Sequence, residues 1–476
     1  MNRKRLSTGI EGLDQVLSGG YLENSINVIM GAPGTGKTLL AEQLVFRNAT
    51  KERPALYFTT LSEPLERFII NTQSYPFFEP GKVGVEVQYE DLGLLIREKG
   101  FAALVDVVSE FLTERHPKLI VIDSFKALSD IAPTSEQHRT VLFDLATLLT
   151  SYDCTALLIG EYASETMTDL PVFAVADSIL SLQRRASGGN DQRFLCVEKF
   201  RGSSSVPGLH AFAITAQGVE VFPRLLSPAS FTTYADVSVK RVPSGVEGLD
   251  PLIDDGFLQG STTLVAGPTG SGKSMLSLQF LHNGAQAGEP SLYVGFQENP
   301  VQLARITKGF GWNLEALQKD GLFEPMYRSP VEMQLDEVAT RIFERIQEGK
   351  VRRVVIDALG DLKRRSLDVD RFADYIYALT QWFAVKQITC LLTYELKDLF
   401  EFHSITGEEI SNMADNVLLL RFTPEAEMAR TIRVVKTRGS AHDQREHLLK
   451  LSRKGVAVGS PWKGSHANPN RGETGR

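Results

Sequence analysis

The sequence predicts an α/β protein built as two tandem P-loop domains, each a mostly parallel sheet flanked by helices. Three observations lead there. The chain carries a long internal duplication, and short apolar runs alternate with segments of helical periodicity in both copies. The same glycine-rich loop follows the first long apolar run of each copy. Strands that alternate with helices pack as a parallel sheet covered on both faces.

The duplication is nearly free of gaps. Gly9-Ile-Glu-Gly-Leu-Asp14 returns as Gly245-Val-Glu-Gly-Leu-Asp250, and GAPGTGKT at 31–38 returns as GPTGSGKS at 267–274. Gly9 and Gly245 stand 236 residues apart, and so do Lys37 and Lys273. Later landmarks drift by only one or two residues. Asp123 and Asp357 close apolar runs 234 residues apart, and the lysines of KFRG (199–202) and KTRG (436–439) are separated by 237. Solenoid repeats run about 20–50 residues, so a period this long means two whole domains. The expected boundaries are 1–228 for the first domain, 229–240 for a linker, 241–455 for the second domain and 456–476 for a disordered tail. Pro223 and Pro228 ahead of it and several Ser and Thr residues mark the linker, and Gly, Pro and Asn mark the tail.

Runs of four to six apolar residues without polar alternation suit strands buried on both faces. In the first copy they fall at 26–30, 55–59, 119–122, 156–159 and 178–182; in the second, at 262–266, 291–296, 354–356, 388–393 and 417–422. Segments 38–49 and 372–383 carry apolar residues at helical spacing.

Bulk properties narrow the function. No apolar run approaches the ~18 residues of a membrane span. Cys154, Cys196 and Cys390 are scattered, with no CxxC pair. That speaks against a disulfide framework or a zinc site and fits a reducing cytoplasm. The net charge of −7 argues against nucleic acid as a partner, because duplex binders draw affinity from neutralising phosphates.

GxxxxGK[ST] wraps phosphates with backbone N–H groups and places them at a helix N-terminus. The cradle is Gly34, Thr35, Gly36, Lys37 and Thr38 in the first copy, and Gly270, Ser271, Gly272, Lys273 and Ser274 in the second. The lysines are expected to reach the β- and γ-phosphates of ATP, and Thr38 and Ser274 to offer a hydroxyl to Mg²⁺. A chance match in a flexible loop is the rival reading; recurrence in register, after a strand and before a helix, opposes it. Asp123 and Asp357 are expected to hold the same Mg²⁺, with a turn or helix-cap role as their alternative.

Hydrolysis needs a group that orients water. Glu298, in Phe296-Gln-Glu-Asn-Pro300, directly follows a strand. The first copy offers Glu63, one residue later relative to the shared proline. An exposed loop glutamate is the alternative for both. Lys199 and Arg201, like Lys436 and Arg438, alternate along a strand end and project from one face. They are either solvated cations or phosphate-facing ones acting across a subunit boundary.

These residues resemble the KaiC family of RecA-like ATPases over roughly residues 6–455. The carriers are the paired GxxxLD segments, the P-loops, the FQEN element, the aspartate-ended strands, and KFRG with KTRG. The resemblance implies two stacked hexameric rings with ATP bridging neighbours. It implies that Lys199, Phe200, Arg201 and Ser203 touch the neighbour's nucleotide in one ring, and Lys436, Thr437, Arg438, Ser440 and His442 in the other. Ser205 stands where the first copy would match His442. The family also phosphorylates an adjacent Ser-Thr pair in its second domain; here Ser411 matches the serine and Asn412 replaces the threonine. Ser411 is read as a candidate phosphosite or as an ordinary helix-cap or surface serine. Of the family's two consecutive glutamates, the second copy keeps one, as Gln297-Glu298.

Three functions follow. The first is a slow hexameric signalling ATPase, with serine autokinase activity at Ser411 and unidentified signalling partners. The second is a DNA-dependent RecA or helicase motor. The third is a non-catalytic scaffold in which ATP bridges subunits.

Overall fold

The computed structural model describes residues 3–60, 65–132, 134–162, 170–187, 190–228, 238–396, 410–423 and 428–463. The chain divides into two compact units, Met1–Arg224 and Leu225–Arg476.

Each unit is built on a nine-stranded sheet. In the first, the order is Gly218–Phe222, His210–Thr215, Asn190–Phe200, Ser178–Ser187, Ile26–Gly31, Thr155–Gly160, Leu119–Asp123, Ala55–Thr59 and Val87–Asp91. The six strands from Ser178–Ser187 to Val87–Asp91 are parallel, and the other three add on antiparallel. The second sheet repeats the plan: Phe323–Tyr327, Ser291–Gly295, Arg353–Asp357, Thr389–Glu395, Thr262–Gly267 and Asn416–Phe422 run parallel, then Arg430–Thr437, Glu446–Ser452 and Gly455–Pro461 antiparallel.

The apolar runs are strands for the reason their composition indicates. Along Leu119–Asp123, Leu119 and Val121 pack into one core with Leu40 and Leu44, while Ile120 and Ile122 pack into the opposite core with Leu104 and Leu142. Val354 and Ile356 likewise face one core of the second unit and Val355 the other. Burying such a side chain is worth about 1.5–3 kcal/mol, so both faces must be covered. The helices Lys37–Asn48, Ser135–Ser151, Lys273–Gln286 and Val369–Val385 contribute to that cover.

Two of the parallel strands lie outside the sequence expectation. Val87–Asp91 reads VQYED and Phe323–Tyr327 reads FEPMY with an internal proline. Each is the sheet edge, where polar residues and proline are tolerated.

The domain limits also shift. Leu225 packs on the second unit's core, and the Trp382 indole N–H donates to Leu226 O at 2.8 Å. The expected disordered tail from 456 is corrected by Gly455–Pro461, a strand whose Val456 and Val458 are buried. Glycines at 455 and 459 made this hairpin look like loop, yet its alternate valines fill the core. Residues 229–237 and 464–476 lie outside the described residues. Among those described, no helix is long and apolar enough to cross a membrane.

Candidate nucleotide sites

In both units the central strand delivers its glycine loop at the carboxyl edge of the parallel strands. Gly36 and Gly272 precede the following helices at φ 103° and 108°, a region that disfavours any side chain. A Cβ on Gly31 would stand 2.4 Å from Leu182 O, and one on Gly267 2.6 Å from Leu420 O. A Cβ on Gly34 would meet nothing within 4 Å, so that side of the first loop is open. Thr35 Oγ1 donates to Ala32 O at 2.8 Å. Its counterpart Ser271 Oγ is buried with no hydrogen-bond partner among the described residues.

Lys37 and Lys273 are 7% and 8% exposed. Lys37 Nζ donates to Gly31 O and Ala32 O at 2.9 and 3.0 Å; Lys273 Nζ donates to Gly267 O and Pro268 O at 2.8 and 2.9 Å. Burial lowers the pKa of both ammonium groups, partly offset by Glu161 and Asp123 at the first and Glu395 and Asp357 at the second. A buried cation held mainly by carbonyl dipoles gains further from an anion, about 4 kcal/mol per charge pair at 4 Å and an effective dielectric of 20. The donor set and the open loop fit a polyphosphate.

The aspartates differ in their partners. Asp123 accepts from Thr38 Oγ1 at 2.7 Å and from Tyr57 OH at 3.0 Å. Asp357 accepts from Tyr293 OH at 3.0 Å and from Thr393 Oγ1. Ile159 occupies the place of Thr393 in the first unit. Burial and the adjacent aspartate raise both tyrosines, so each stays a neutral donor. The peptide after each aspartate is cis. Hydroxyl and carboxylate oxygens of this kind suit Mg²⁺.

Glu298 lies in the loop after Ser291–Gly295, beside the strand that ends in Asp357. It is half-buried, and burial, then Asp357 and Asp361, raise its pKa above the usual carboxylate range. Asn299 caps the next helix with Gln302 in a reciprocal capping box, worth about 1 kcal/mol, and Pro300 takes the first helical turn. That fixes where the loop ends. Glu63 lies outside the described residues.

The K-x-R cations close onto their own unit. Lys199 Nζ donates to Phe173 O at 2.8 Å and Arg201 to Ala174 O at 3.1 Å, on the short helix Pro171–Val175. Lys436 donates to Ser411 O and Ala414 O at 3.1 and 2.7 Å, and Arg438 to Asn412 O at 2.6 Å, at the helix Ile410–Met413. A register shift in each strand pair sits beside the lysine, as a bulge that re-aims side chains would. Ser203 and Ser440 accept from Arg5 at 2.5 Å and Arg241 at 2.6 Å. Phe200 packs against its own core. Thr437 Oγ1 is buried with no partner among the described residues, and His442 is half-buried. Ser411 is half-buried near the start of its helix. Arg201 also lines a cavity of about 1150 Å³ with Arg3, Lys4, Arg139, Phe143 and Pro171.

Several repeated residues escape sequence reading. Tyr57 and Tyr293 hold the aspartates. Arg193 donates to Gly34 O and Arg430 to Gly270 O, each at 3.0 Å, bracing the P-loops from an antiparallel strand. Asp177 and Asp415 accept from the first residue of the central strand, Ile26 or Thr262, at 3.0 and 2.9 Å. The duplication itself was the available signal, since every one of these pairs recurs at an offset of 236–238.

The fold and the loop geometry define a tandem P-loop NTPase. The family model of the KaiC ATPase matches residues 6–225 and again 242–463, and the chain belongs to that family. The circadian clock oscillator protein KaiC of Picosynechococcus sp. is 28% identical over 468 residues, 96% of this chain and 89% of that protein. The circadian clock protein KaiC3 of Synechocystis sp. is 28% identical over 474 residues, covering 97% and 92%. The KaiC of Acaryochloris marina is 27% identical over 469 residues, covering 95% and 88%.

Proposed function

We propose that this KaiC-like ATPase works as a nucleotide-bridged hexamer whose second domain carries most of the turnover and whose first domain mainly holds nucleotide. The observation that carries this reading is Glu298, half-buried beside Asp357 at the second site, where the first copy's sequence has Ser62 in the matching position.

Mg²⁺ bound at Thr38 and Asp123, or at Ser274 and Asp357, would neutralise charge on the β- and γ-phosphates of ATP. Lys273 supplies a fixed positive charge in a low-dielectric loop, already oriented by two carbonyls. Glu298 takes a proton from water, and its raised proton affinity makes it a better acceptor than an ordinary glutamate. The water oxygen then bonds to the γ-phosphorus, the bond to the bridging oxygen breaks, and ADP leaves. Tyr293 and Thr393 orient Asp357 by donating to its two oxygens.

The neighbour's share rests on the K-x-R cations. Arg201 and Arg438 are exposed, and Arg201 borders the large cavity where Phe143 is 69% exposed. A second copy covering this face would bury that apolar ring and bring its own P-loop to Arg201. Ser411 is the candidate acceptor for autophosphorylation, by attack of its hydroxyl on the γ-phosphorus in place of water. The relatives are named as circadian clock proteins, which supports a timing or signalling role; unidentified protein partners and a cytoplasmic location go with that reading.

Glu298→Gln tests the reading. The variant is expected to keep bound ATP, lose phosphate release by about 10²-fold, and show no phosphate on Ser411 by intact mass and phosphopeptide analysis. Unchanged phosphate release would overturn the assignment, and release that rises with single-stranded DNA at low salt would favour the motor reading.

A further inference from the structure

The loop that carries Glu298 is tied at a second point. Gln297 Nε2 donates to Asp361 Oδ2 at 3.1 Å, across 64 residues of sequence. Asp361 sits on the helix Leu359–Arg365, which starts two residues after Asp357. Its side chain is only 1% exposed, and its other oxygen accepts from Arg364. The Phe296 N–H donates to Asp357 O at 3.2 Å, so the loop is pinned at Phe296 to the strand end and at Gln297 to the helix that follows it. Burying a carboxylate is costly unless it is paired and hydrogen-bonded. Asp361 is nevertheless nearly as buried as Leu359 and Leu362 of the same helix, which pack into the core.

Among the described residues, the first unit joins the same two strand ends through a hydroxyl. Ala127 stands in the place of Asp361 and Leu61 in the place of Gln297. There Thr60 Oγ1 accepts from Ser124 N–H at 2.9 Å and donates to Ser124 O at 3.3 Å. The buried acid and the amide that meets it belong to the second unit alone, the unit with Glu298.

We propose that Asp361 is a positioning residue for ATP hydrolysis at the second site: through Gln297 it holds the loop so that Glu298 faces the water it orients. The proposal rests on the assignment of Glu298 above. Asp361 acts by fixing one residue of a four-residue loop whose far end is already fixed by the Asn299 cap. A loop freed at one end places its glutamate in the reacting geometry for a smaller fraction of the time, which lowers kcat and leaves ATP affinity alone.

The test is steady-state phosphate release by the full chain with Mg·ATP. Gln297→Ala, an exposed position that leaves the core intact, is expected to lower kcat about 10-fold with KM within about twofold. Asp361→Ala is expected to match it, and the double variant to be no slower than either single one. Asp361→Asn keeps an oxygen that accepts from Gln297 and is expected to stay within about threefold of the parent. A full rate in Gln297→Ala, an Asn variant as slow as the Ala variant, or losses that multiply in the double variant would overturn the proposal. Glu298→Gln runs alongside. If it is inactive while Gln297→Ala is not, only the positioning role fails. If it keeps the full rate, the assignment of Glu298 fails and the positioning role with it.

Discussion

The two units share strand order, P-loop geometry and buried lysine, yet among the described residues they differ at the junction around the strand-terminal aspartate. In the second unit that junction is acidic, with Glu298, Asp357 and Asp361 close enough to raise the proton affinity of Glu298. In the first, Thr38 and Tyr57 both donate to Asp123, and a threonine hydroxyl clasps the Ser124 peptide. The parts that bind phosphate in the proposed function are shared by both units. The part proposed to move a proton is where the described residues differ, so duplication would let one site hold nucleotide and the other turn it over.

The sharpest break of this comparison is at the glutamates. Glu298→Gln is expected to cost about 10²-fold in phosphate release and Glu63→Gln less than about twofold; equal losses would make the sites equivalent. Next come the aspartates. Asp357→Asn is expected to cut turnover about as deeply, whereas Asp123→Asn should show mainly as nucleotide lost from the purified protein, measured by chromatography of the released nucleotide.

How far the sequence reached is clear from these same residues. The P-loop geometry and the strand-end positions of Asp123, Asp357 and Glu298 were legible because each depends on a short contiguous stretch at a strand end. The ten central strands were legible from apolar runs, because each is buried on both faces. The tyrosines on the aspartates, the arginines on Gly34 and Gly270, and the Gln297–Asp361 bond join residues 64–160 apart. Nothing local marks them, since a tyrosine inside an apolar run reads as core. The edge strands Val87–Asp91 and Phe323–Tyr327 were missed because an edge needs no apolar run, and Gly455–Pro461 because its glycines resemble a tail.

Smaller effects sharpen the comparison further. Tyr293→Phe and Tyr57→Phe each remove one donor from a buried or half-buried aspartate, expected to cost about 1–3 kcal/mol and to lower the thermal midpoint by a few degrees. Tyr293→Phe should also slow turnover, while Tyr57→Phe should not. Phosphate release over a pH series adds a sign. Glu298 acts when deprotonated, and its pKa is raised, so turnover should fall on the acid side at a higher pH than an ordinary glutamate would give. Asp361→Asn removes one of the charges that raise it and should move that limb towards lower pH.

The central claim is that the second site turns over and the first holds the assembly. Phosphate release and native mass, measured together on Lys37→Ala and Lys273→Ala with Mg·ATP, test it most directly. Lys273→Ala is expected to lose about 10²-fold in turnover and keep the mass of the ring. Lys37→Ala is expected to shift the mass to smaller species and to recover turnover as protein concentration rises. Full turnover in Lys273→Ala, or equal loss in both variants with the ring intact, would contradict it.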